Sequence, residues 1–476
     1  MFAPSRRSFL QSASAAAALA TLSRSRIFAQ APSSPVKVWS TFRDRRHIAS
    51  DPLEWKPAAT LAANAIILSP RGTRQEILGF GAAMTDATCY VLSQLTQSER
   101  DAVLNDVFSP SEMGMNVCRT CIGASDYSRA VYSFDESDTP DPEMKKFSIN
   151  HDLEYILPVL REASRHNPAL FLFSSPWSPP GWMKPDHTML GGAMRESSFE
   201  AYARYFVKFL EGYKAEGVEI NAVTVQNEVD AEQDGRMPAC AWAQELEMGF
   251  VARHLGPAIR KARMDTRIWI LDHNYSLWGR AIDELSDPSV YEFVDGIAWH
   301  GYDGQPAAMT SVHNAFPDKS AYWTEGGPDI NQPDYTTDFT VWASTFNGVL
   351  NNWSRSITAW NLALDEKGKP NIGPFSCGGT ITIENGSHKI TQSGQYWAFA
   401  HFSRHIQRGA KVFATNGLAP DTGRAAISHS GFTNPDGKHV LVIANRGPQQ
   451  TAQIVLDTIM LEIDLPADSV HTLEWE

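Results

Sequence analysis

The chain has 476 residues, more than the roughly 250–300 at which one hydrophobic core stops growing, so it holds two domains or an enlarged barrel with an addition, and a minimal binding module is excluded. Hydrophobic residues make up 43%, aromatic residues 11% and charged residues 20%, a globular composition far from that of disordered chains. The formal charge of −13 becomes −17 once the first 31 residues, with Arg6, Arg7, Arg24 and Arg26 and no acid, are set aside; such a body repels nucleic acid and anionic membrane surfaces and suits a neutral substrate.

Residues 1–30 read as an address. Ser5-Arg6-Arg7-Ser8-Phe9-Leu10 precedes an Ala-rich apolar stretch from Ala13 to Leu22 and small-residue cleavage options at Ile27-Phe28-Ala29 or Ala29-Gln30-Ala31. The pattern predicts a twin-arginine export signal and therefore a periplasmic or extracellular protein. Its apolar run is shorter than the ~20 residues of a spanning helix, and no integral membrane segment is expected in the mature chain. Residues 31–76 carry two strand-like runs, Lys37–Phe42 and Ala65–Leu68, without a convincing helix.

From 77 to 405 short apolar strands alternate with amphipathic helices, the signature of a parallel sheet with helical crossovers. Strands are predicted at Ile77–Met84, Asn116–Ile122, Leu170–Ser174, Ile220–Gln226, Arg267–Leu271, Gly296–Trp299, Ala321–Thr324 and Ser356–Trp360. Helices are predicted at Gln97–Phe108, Asp152–His166 and Ala243–Ala262. Another opens at Ser198, with Phe199, Tyr202, Phe206, Phe209 and Tyr213 recurring at three and four residues before Gly217 ends it. About eight strands is the number that closes a (β/α)8 barrel, and an open doubly wound sheet is the competing architecture. Residues 406–476 return to strand alternation. Ala425–Ser430 and His439–Ala444 are joined through the turn Asn434-Pro435-Asp436-Gly437, and Val470–Trp475 supplies a last strand. The two ends are expected to pair as one β-sandwich beside the barrel.

Five cysteines, Cys89, Cys118, Cys121, Cys240 and Cys377, are too few and odd in number for a disulfide framework. Cys118 and Cys121 lie three apart on a predicted strand, so they point to opposite faces and are expected to pack rather than share a metal.

In a barrel of this kind chemistry sits at the carboxyl ends of the strands. There the sequence places Asn227-Glu228, Asp272-His273-Asn274-Tyr275, His300-Gly301-Tyr302, Glu325 and the stretch Pro176-Trp177-Ser178-Pro179-Pro180-Gly181-Trp182. Two glutamates at two strand ends, ringed by tryptophans, match what hydrolysis of a glycosidic bond requires. One carboxyl donates a proton to the departing oxygen, the other attacks or stabilises the anomeric carbon, and flat aromatic faces hold the apolar side of a sugar ring. No metal and no cofactor is expected. Asp272-His273-Asn274 hints at a metal cluster, but no second ligand group of suitable spacing is evident.

Five stretches carry a resemblance to a known family. They are Gly79-Phe80-Gly81-Ala82-Ala83-Met84-Thr85-Asp86, Ser175-Pro176-Trp177-Ser178-Pro179-Pro180-Gly181-Trp182-Met183-Lys184, Thr224-Val225-Gln226-Asn227-Glu228, Thr324-Glu325 and Trp360-Asn361-Leu362-Ala363-Leu364-Asp365. In series they resemble glycoside hydrolase family 30, the glucosylceramidase and β-1,6-glucanase group, from Gly79 to about Gly409. A β-sandwich built from both chain ends is also a feature of that family. The resemblance implies Glu228 as acid/base and Glu325 as nucleophile of a retaining double displacement. It further implies Arg119, Asp126, Trp177, Asn227, Trp360 and Asn371 at the first sugar subsite, with His300 and Tyr302 beside the carboxylates.

Physical expectations follow from those roles. Arg119 is the candidate cation that keeps Glu325 ionised, and the charge on Glu325 should raise Glu228 so that it holds its proton. Asn227 and Glu228 are neighbours, so both face inward only if the chain kinks or bulges there. The sequence departs from the family at Val229, at Glu325-Gly326-Gly327, and around Arg236-Met237-Pro238-Ala239, where aromatic residues that flank the leaving group in glucosylceramidases are missing. The expected activity is that of a retaining, glucosylceramidase-like β-glucosidase on a β-glucoside or β-glucan oligosaccharide. An endo-β-1,6-glucanase, a β-xylosidase or a β-fucosidase are the nearest alternatives, and a non-catalytic carbohydrate-binding protein is the rival of another class.

Overall fold

The computed structural model describes residues 34–476 apart from 59, 63, 64, 232 and 418–425. The export signal expected over residues 1–30 lies outside the described residues, as does Ala425 at the start of one predicted strand. No described helix is long and apolar enough to cross a membrane.

Eight parallel strands run in sequence order around a ring: β1 (Gly79–Ala82), β2 (Val117–Cys121), β3 (Phe171–Ser175), β4 (Ala222–Thr224), β5 (Arg267–Asn274), β6 (Val294–His300), β7 (Ser320–Glu325) and β8 (Ser354–Ala359), with β8 paired back to β1. The first two strands meet through a parallel bridge between Ala83 and Arg119, and the Asn116 amide donates to the Phe80 carbonyl at 2.9 Å. Gly81 permits this approach, since a Cβ there would lie 1.8 Å from the Val117 carbonyl oxygen. The fold is a (β/α)8 barrel rather than an open doubly wound sheet.

Strands buried on both faces read as continuous apolar runs. In β3, Phe171 and Phe173 turn into the barrel with Val117, Ala222, Trp269 and Tyr322, while Leu172 faces the surrounding helices. Trp269 and Tyr322 stack with centroids 4.0 Å apart and plug the lower barrel. Two residues further along their strands, Arg119, Ser175, Thr224, His300 and Thr324 form a buried polar layer on top of that plug.

The helix Phe199–Ala215 buries its five predicted aromatics, and Gly217 follows at φ +78°. The helix predicted over Ala243–Ala262 is three pieces, with a π turn at Val251–Leu255 between Gln244–Phe250 and Gly256–Ala262. Pro257 has no amide hydrogen to give the preceding turn, and the wider turn absorbs that loss. Asp152–His166 is likewise broken at Tyr155, whose φ is −148°, so that Pro158 falls in the first turn of the new helix Ile156–His166. Cys118 packs toward the helices and Cys121 beneath Trp177 and Trp360, on opposite faces of β2 as their spacing requires; both thiols are free and buried.

Strands from both chain ends share one hydrogen-bonded sheet. Val36–Phe42 pairs with Ser469–Trp475, and Ala65–Glu76 with Lys411–Asn416 and Gln450–Leu456. The sheet folds over a core that includes Val38, Ile66, Leu441, Ile443 and Leu461. In His439–Asn445 the alternate residues Val440, Val442 and Ala444 instead join the barrel core, and that sheet surface packs on the helices Phe339–Asn351 and Gly394–Ser403. Both faces of that strand are therefore apolar. Sequence reading overlooked Arg45–Leu53, whose mostly exposed edge lacks alternation, and the hairpin Gln450–Leu456/Ile459–Leu465, which turns at Asp457 (φ 51°) without an Asn-Gly or Asp-Gly pair.

Buried imidazoles mark this junction. His401 bonds Thr472 and Thr41, and His471 bonds Ser40 and Ser469 at 2.9 Å each. Burial pulls His471 down from 6.5 to about 4. A folded state that refuses a proton the unfolded chain accepts loses stability as pH falls below about 6.5, until the folded group also titrates near 4. The stability gap between wild type and His471→Asn should therefore narrow by up to ~3 kcal/mol between neutral pH and the folded titration point. Denaturant unfolding across that range checks this; a constant gap contradicts it.

Candidate active site

The carboxyl ends of the strands open into a cavity of about 320 Å³ lined by Asp126, Trp177, Asn227, Glu228, Gln233, Met237, Asn274, Tyr302, Glu325, Trp360, Phe375 and Cys377. Strand parity alone would not bring both glutamates there. On β7 the register slips between Trp299 opposite Trp323 and His300 opposite Glu325, a bulge at Thr324 that turns Thr324 and Glu325 inward together. On β5 the pairing skips Asp272, and Leu271 and Asp272 have φ of 71° and 45°, which swings the Asp272 carboxylate into the barrel. Past β4, Glu228 has φ 52°, a left-handed conformation costing about 1–3 kcal/mol in a residue with a Cβ. This is the kink that neighbouring Asn227 and Glu228 demand.

Under the cavity floor lies a fully buried ion layer centred on Arg119 and Asp272. Arg119 Nη1 donates to Glu325 Oε2, and Nη2 to Asn227 Oδ1 and Asp272 Oδ2 at 2.7 Å each; Nε donates to Ser175 Oγ at 3.1 Å. Asp272 also accepts from Ser175 (2.8 Å), Thr224 and Thr324 (both 2.7 Å), and lies 3.0 Å from His300 Nε2. Burial pushes the Asp272 carboxyl up, but Arg119, His300 and Thr324 outweigh it and hold the group far below the usual carboxylate range. Trp177 and Trp360 stack 5.1 Å apart and cover the guanidinium at 4.7 and 5.5 Å.

Glu325 is fixed at both oxygens, Oε2 by Arg119 and Oε1 by the Tyr302 hydroxyl at 3.0 Å. Glu228 Oε1 lies 3.4 Å from His300 Nδ1 and 3.8 Å from His273 Nδ1, and its Oε2 is 3.5 Å from Gln233 Nε2. His300 Nε2 is in turn 3.8 Å from Glu325 Oε2. One imidazole thus has a glutamate at each end.

Burial pushes His300 down, yet Glu325, Asp272 and Glu228 carry it up to about 9. Burial pushes Glu228 up, yet His300, His273 and Arg119 lower it overall. This lowering is opposite to the raised carboxyl expected from the charge of Glu325 alone. The imidazole between the two carboxylates accounts for the difference. Asp126 behaves oppositely. Burial together with the charges of Glu325 and Glu228 raises it well above the usual range, and its Oδ1 has no partner. Two basic side chains, Arg119 and His300, thus face three carboxyl groups, those of Asp272, Glu228 and Glu325, an acidic excess suited to a substrate that gains positive character as it reacts.

The predicted residues divide by position. Asp126, Trp177, Asn227, Tyr302 and Trp360 line the cavity with the two glutamates. Arg119 and His300 are fully buried and hold carboxylates. Asn371 is not in the lining: its amide donates to the Phe375 carbonyl at 2.5 Å and its oxygen accepts from the Gly373 amide at 2.6 Å. It braces the loop that sets Phe375 on the rim.

Sequence reading missed Asp272 as the hub of the ion layer, although its strand-end position was the available signal. It also passed over Gln233, Met237, Phe375 and Cys377, which come from segments without periodicity, and gave no role to Asn274, named at the end of its strand. Asn274 Oδ1 accepts from the amides of Tyr302 and Asp303 at 3.0 and 3.1 Å and so positions the Tyr302 loop. Among the described residues, Glu228, His273 and His300 form the group able to hold a metal ion.

A barrel with two carboxylates and stacked tryptophans at its strand ends is built as a glycoside hydrolase is. The chain belongs to glycosyl hydrolase family 30: the family's TIM-barrel domain matches residues 77–406 and its beta sandwich domain matches 409–473. It is 32% identical over 397 residues to the endo-1,6-beta-D-glucanase of Neurospora crassa, covering 79% of this chain and 80% of that one. It is 28% identical to the lysosomal acid glucosylceramidase of Mus musculus, covering 86% and 83%. Among solved structures, an endo-beta1,6-glucanase superposes with a TM-score of 0.82 at 28% identity, over 93% of this chain and 99% of that one. SrfJ of Salmonella typhimurium shares the fold, with a TM-score of 0.88 at 24% identity over 93% and 100%.

Proposed function

We propose that the protein is an exported, retaining endo-β-1,6-glucanase. The observation that carries the chemistry is the placement of Glu228 and Glu325 at the two nitrogens of His300, facing one sugar-sized cavity. In the first step Glu325 attacks the anomeric carbon as the bond to the leaving oxygen breaks, and that oxygen takes a proton from Glu228. His300 Nδ1, 3.4 Å from Glu228 Oε1, is the neighbouring group able to resupply that proton. In the second step Glu228, now a carboxylate, takes a proton from water, and the water oxygen displaces Glu325 from the anomeric carbon. This double displacement calls for carboxyl groups about 5–5.5 Å apart. Asn227, held by Arg119, offers its amide to the sugar 2-hydroxyl, and the unpartnered Asp126 oxygen awaits a distal hydroxyl.

The linkage rests on likeness to the endo-1,6-glucanases and on a rim at Arg236–Ala239 that lacks aromatic lipid platforms. A hydrolysis screen tests it. β-1,6-Glucan should be cleaved to oligosaccharides faster than aryl β-glucoside, β-xyloside, β-fucoside or glucosylceramide; preference for any of these overturns the assignment.

The acid is tested separately. Glu228→Gln should slow β-1,6-glucan hydrolysis by roughly 10²–10⁴-fold while sparing the first step on an activated aryl glucoside, whose leaving group needs little protonation. Equal loss of that step on both substrates contradicts the role of Glu228.

A further inference from the structure

We propose that Glu228 Oε1, His273 Nδ1 and His300 Nδ1 bind one divalent transition-metal ion of the zinc or copper type, and that the ion blocks hydrolysis. The three ligands come from three adjacent strand ends, after β4, on β5 and on β6, which is why no sequence spacing announces them. Their donor atoms all lie within 4.8 Å of one another, with Glu228 Oε1 3.4 and 3.8 Å from the two nitrogens. Bonds of ~2.0–2.1 Å to a tetrahedral ion need ligand edges of about 3.3 Å, so the two Glu228 edges fit after shifts of a few tenths of an ångström, the imidazole edge closes from at most 4.8 Å, and the fourth position is left to water.

The independent observation is the state of the two imidazoles. His273 Nδ1 and His300 Nδ1 are both buried without a hydrogen-bond partner, and both approach the same carboxylate oxygen. Each ring's other nitrogen is engaged by a second carboxylate, His273 Nε2 by Asp230 Oδ1 at 2.6 Å and His300 Nε2 by Asp272 Oδ1 at 3.0 Å. Such outer carboxylates fix ring orientation and make the free nitrogen a stronger donor. Two nitrogens and one oxygen suit zinc or copper, whereas magnesium and calcium prefer oxygen shells.

The ion occupies the Glu228 oxygen from which the proton would be delivered. Inhibition therefore rests on the proposed role of Glu228, whereas binding does not.

Titration of the full chain with Zn²⁺ against a chromogenic chelator reads binding directly, and melting curves confirm that the variants fold. One ion per chain is expected, with affinity lowered about tenfold or more in His273→Ala and about tenfold in Asp230→Asn. Cu²⁺ bound to the wild type should show two nitrogen ligands by electron paramagnetic resonance. No binding at millimolar Zn²⁺, or unchanged binding in His273→Ala, overturns the site. Binding with undiminished cleavage of β-1,6-glucan instead overturns the block, and with it Glu228 as the acid.

Discussion

Glu325→Gln is expected to abolish hydrolysis of every glycoside, activated or not, by roughly 10⁴-fold or more. An amide keeps the shape of the carboxylate and can still accept from Arg119 through its oxygen, with its nitrogen turned to the Tyr302 hydroxyl. The variant should therefore fold, and what it lacks is a nucleophile. A good leaving group relieves the need for an acid but not the need for an attacking oxygen, so no choice of substrate restores the rate. This separates Glu325 from Glu228, whose loss an activated aglycone conceals in the first step. Single-turnover kinetics on a fluorinated and an unactivated glucoside distinguish the two cases. Appreciable activity of Glu325→Gln on either contradicts the assignment.

Asp272→Ala is expected to cost the most stability of any single change in the site, about 3–5 kcal/mol. The reason is the environment and not the charge alone. Asp272 is fully buried and receives Arg119, Ser175, Thr224, Thr324 and His300. Without it Arg119 keeps Glu325 as its one remaining carboxylate, and three hydroxyls and an imidazole lose a buried acceptor. Activity should fall as well, because Arg119 orients Asn227 and Glu325. Asp272→Asn keeps the shape and part of the bonding and should fall between. Denaturant unfolding checks the order; an Asp272→Ala protein as stable as wild type contradicts it.

Much of this was legible in the sequence where a local pattern carried it. Each of the eight predicted strands overlaps one of β1–β8, since strands buried on both faces must be apolar throughout, as Phe171-Leu172-Phe173 is. Trp177, Asn227, Glu228 and Glu325 lie at the strand ends where such residues are expected. What the sequence hid is set by irregular backbone and distant neighbours. Alternation cannot foresee the bulges that turn Asp272 and Glu325 inward, because a bulge changes which face a residue takes without changing composition. The protonation of Glu228 depends on His300, 72 positions away along the chain, and on Asp272 behind it. Phe375 reaches the rim because Asn371 folds a loop with no periodicity. The resemblance to family 30 supplied Asn371 as a sugar contact, whereas here its amide bonds its own loop.

The most direct test of the paired-carboxylate mechanism is trapping with a 2-deoxy-2-fluoro-β-glucoside followed by peptide mapping of the labelled protein. The mechanism predicts one glucosyl adduct, carried by Glu325. An adduct on any other residue, or none after prolonged incubation at saturating reagent, contradicts it.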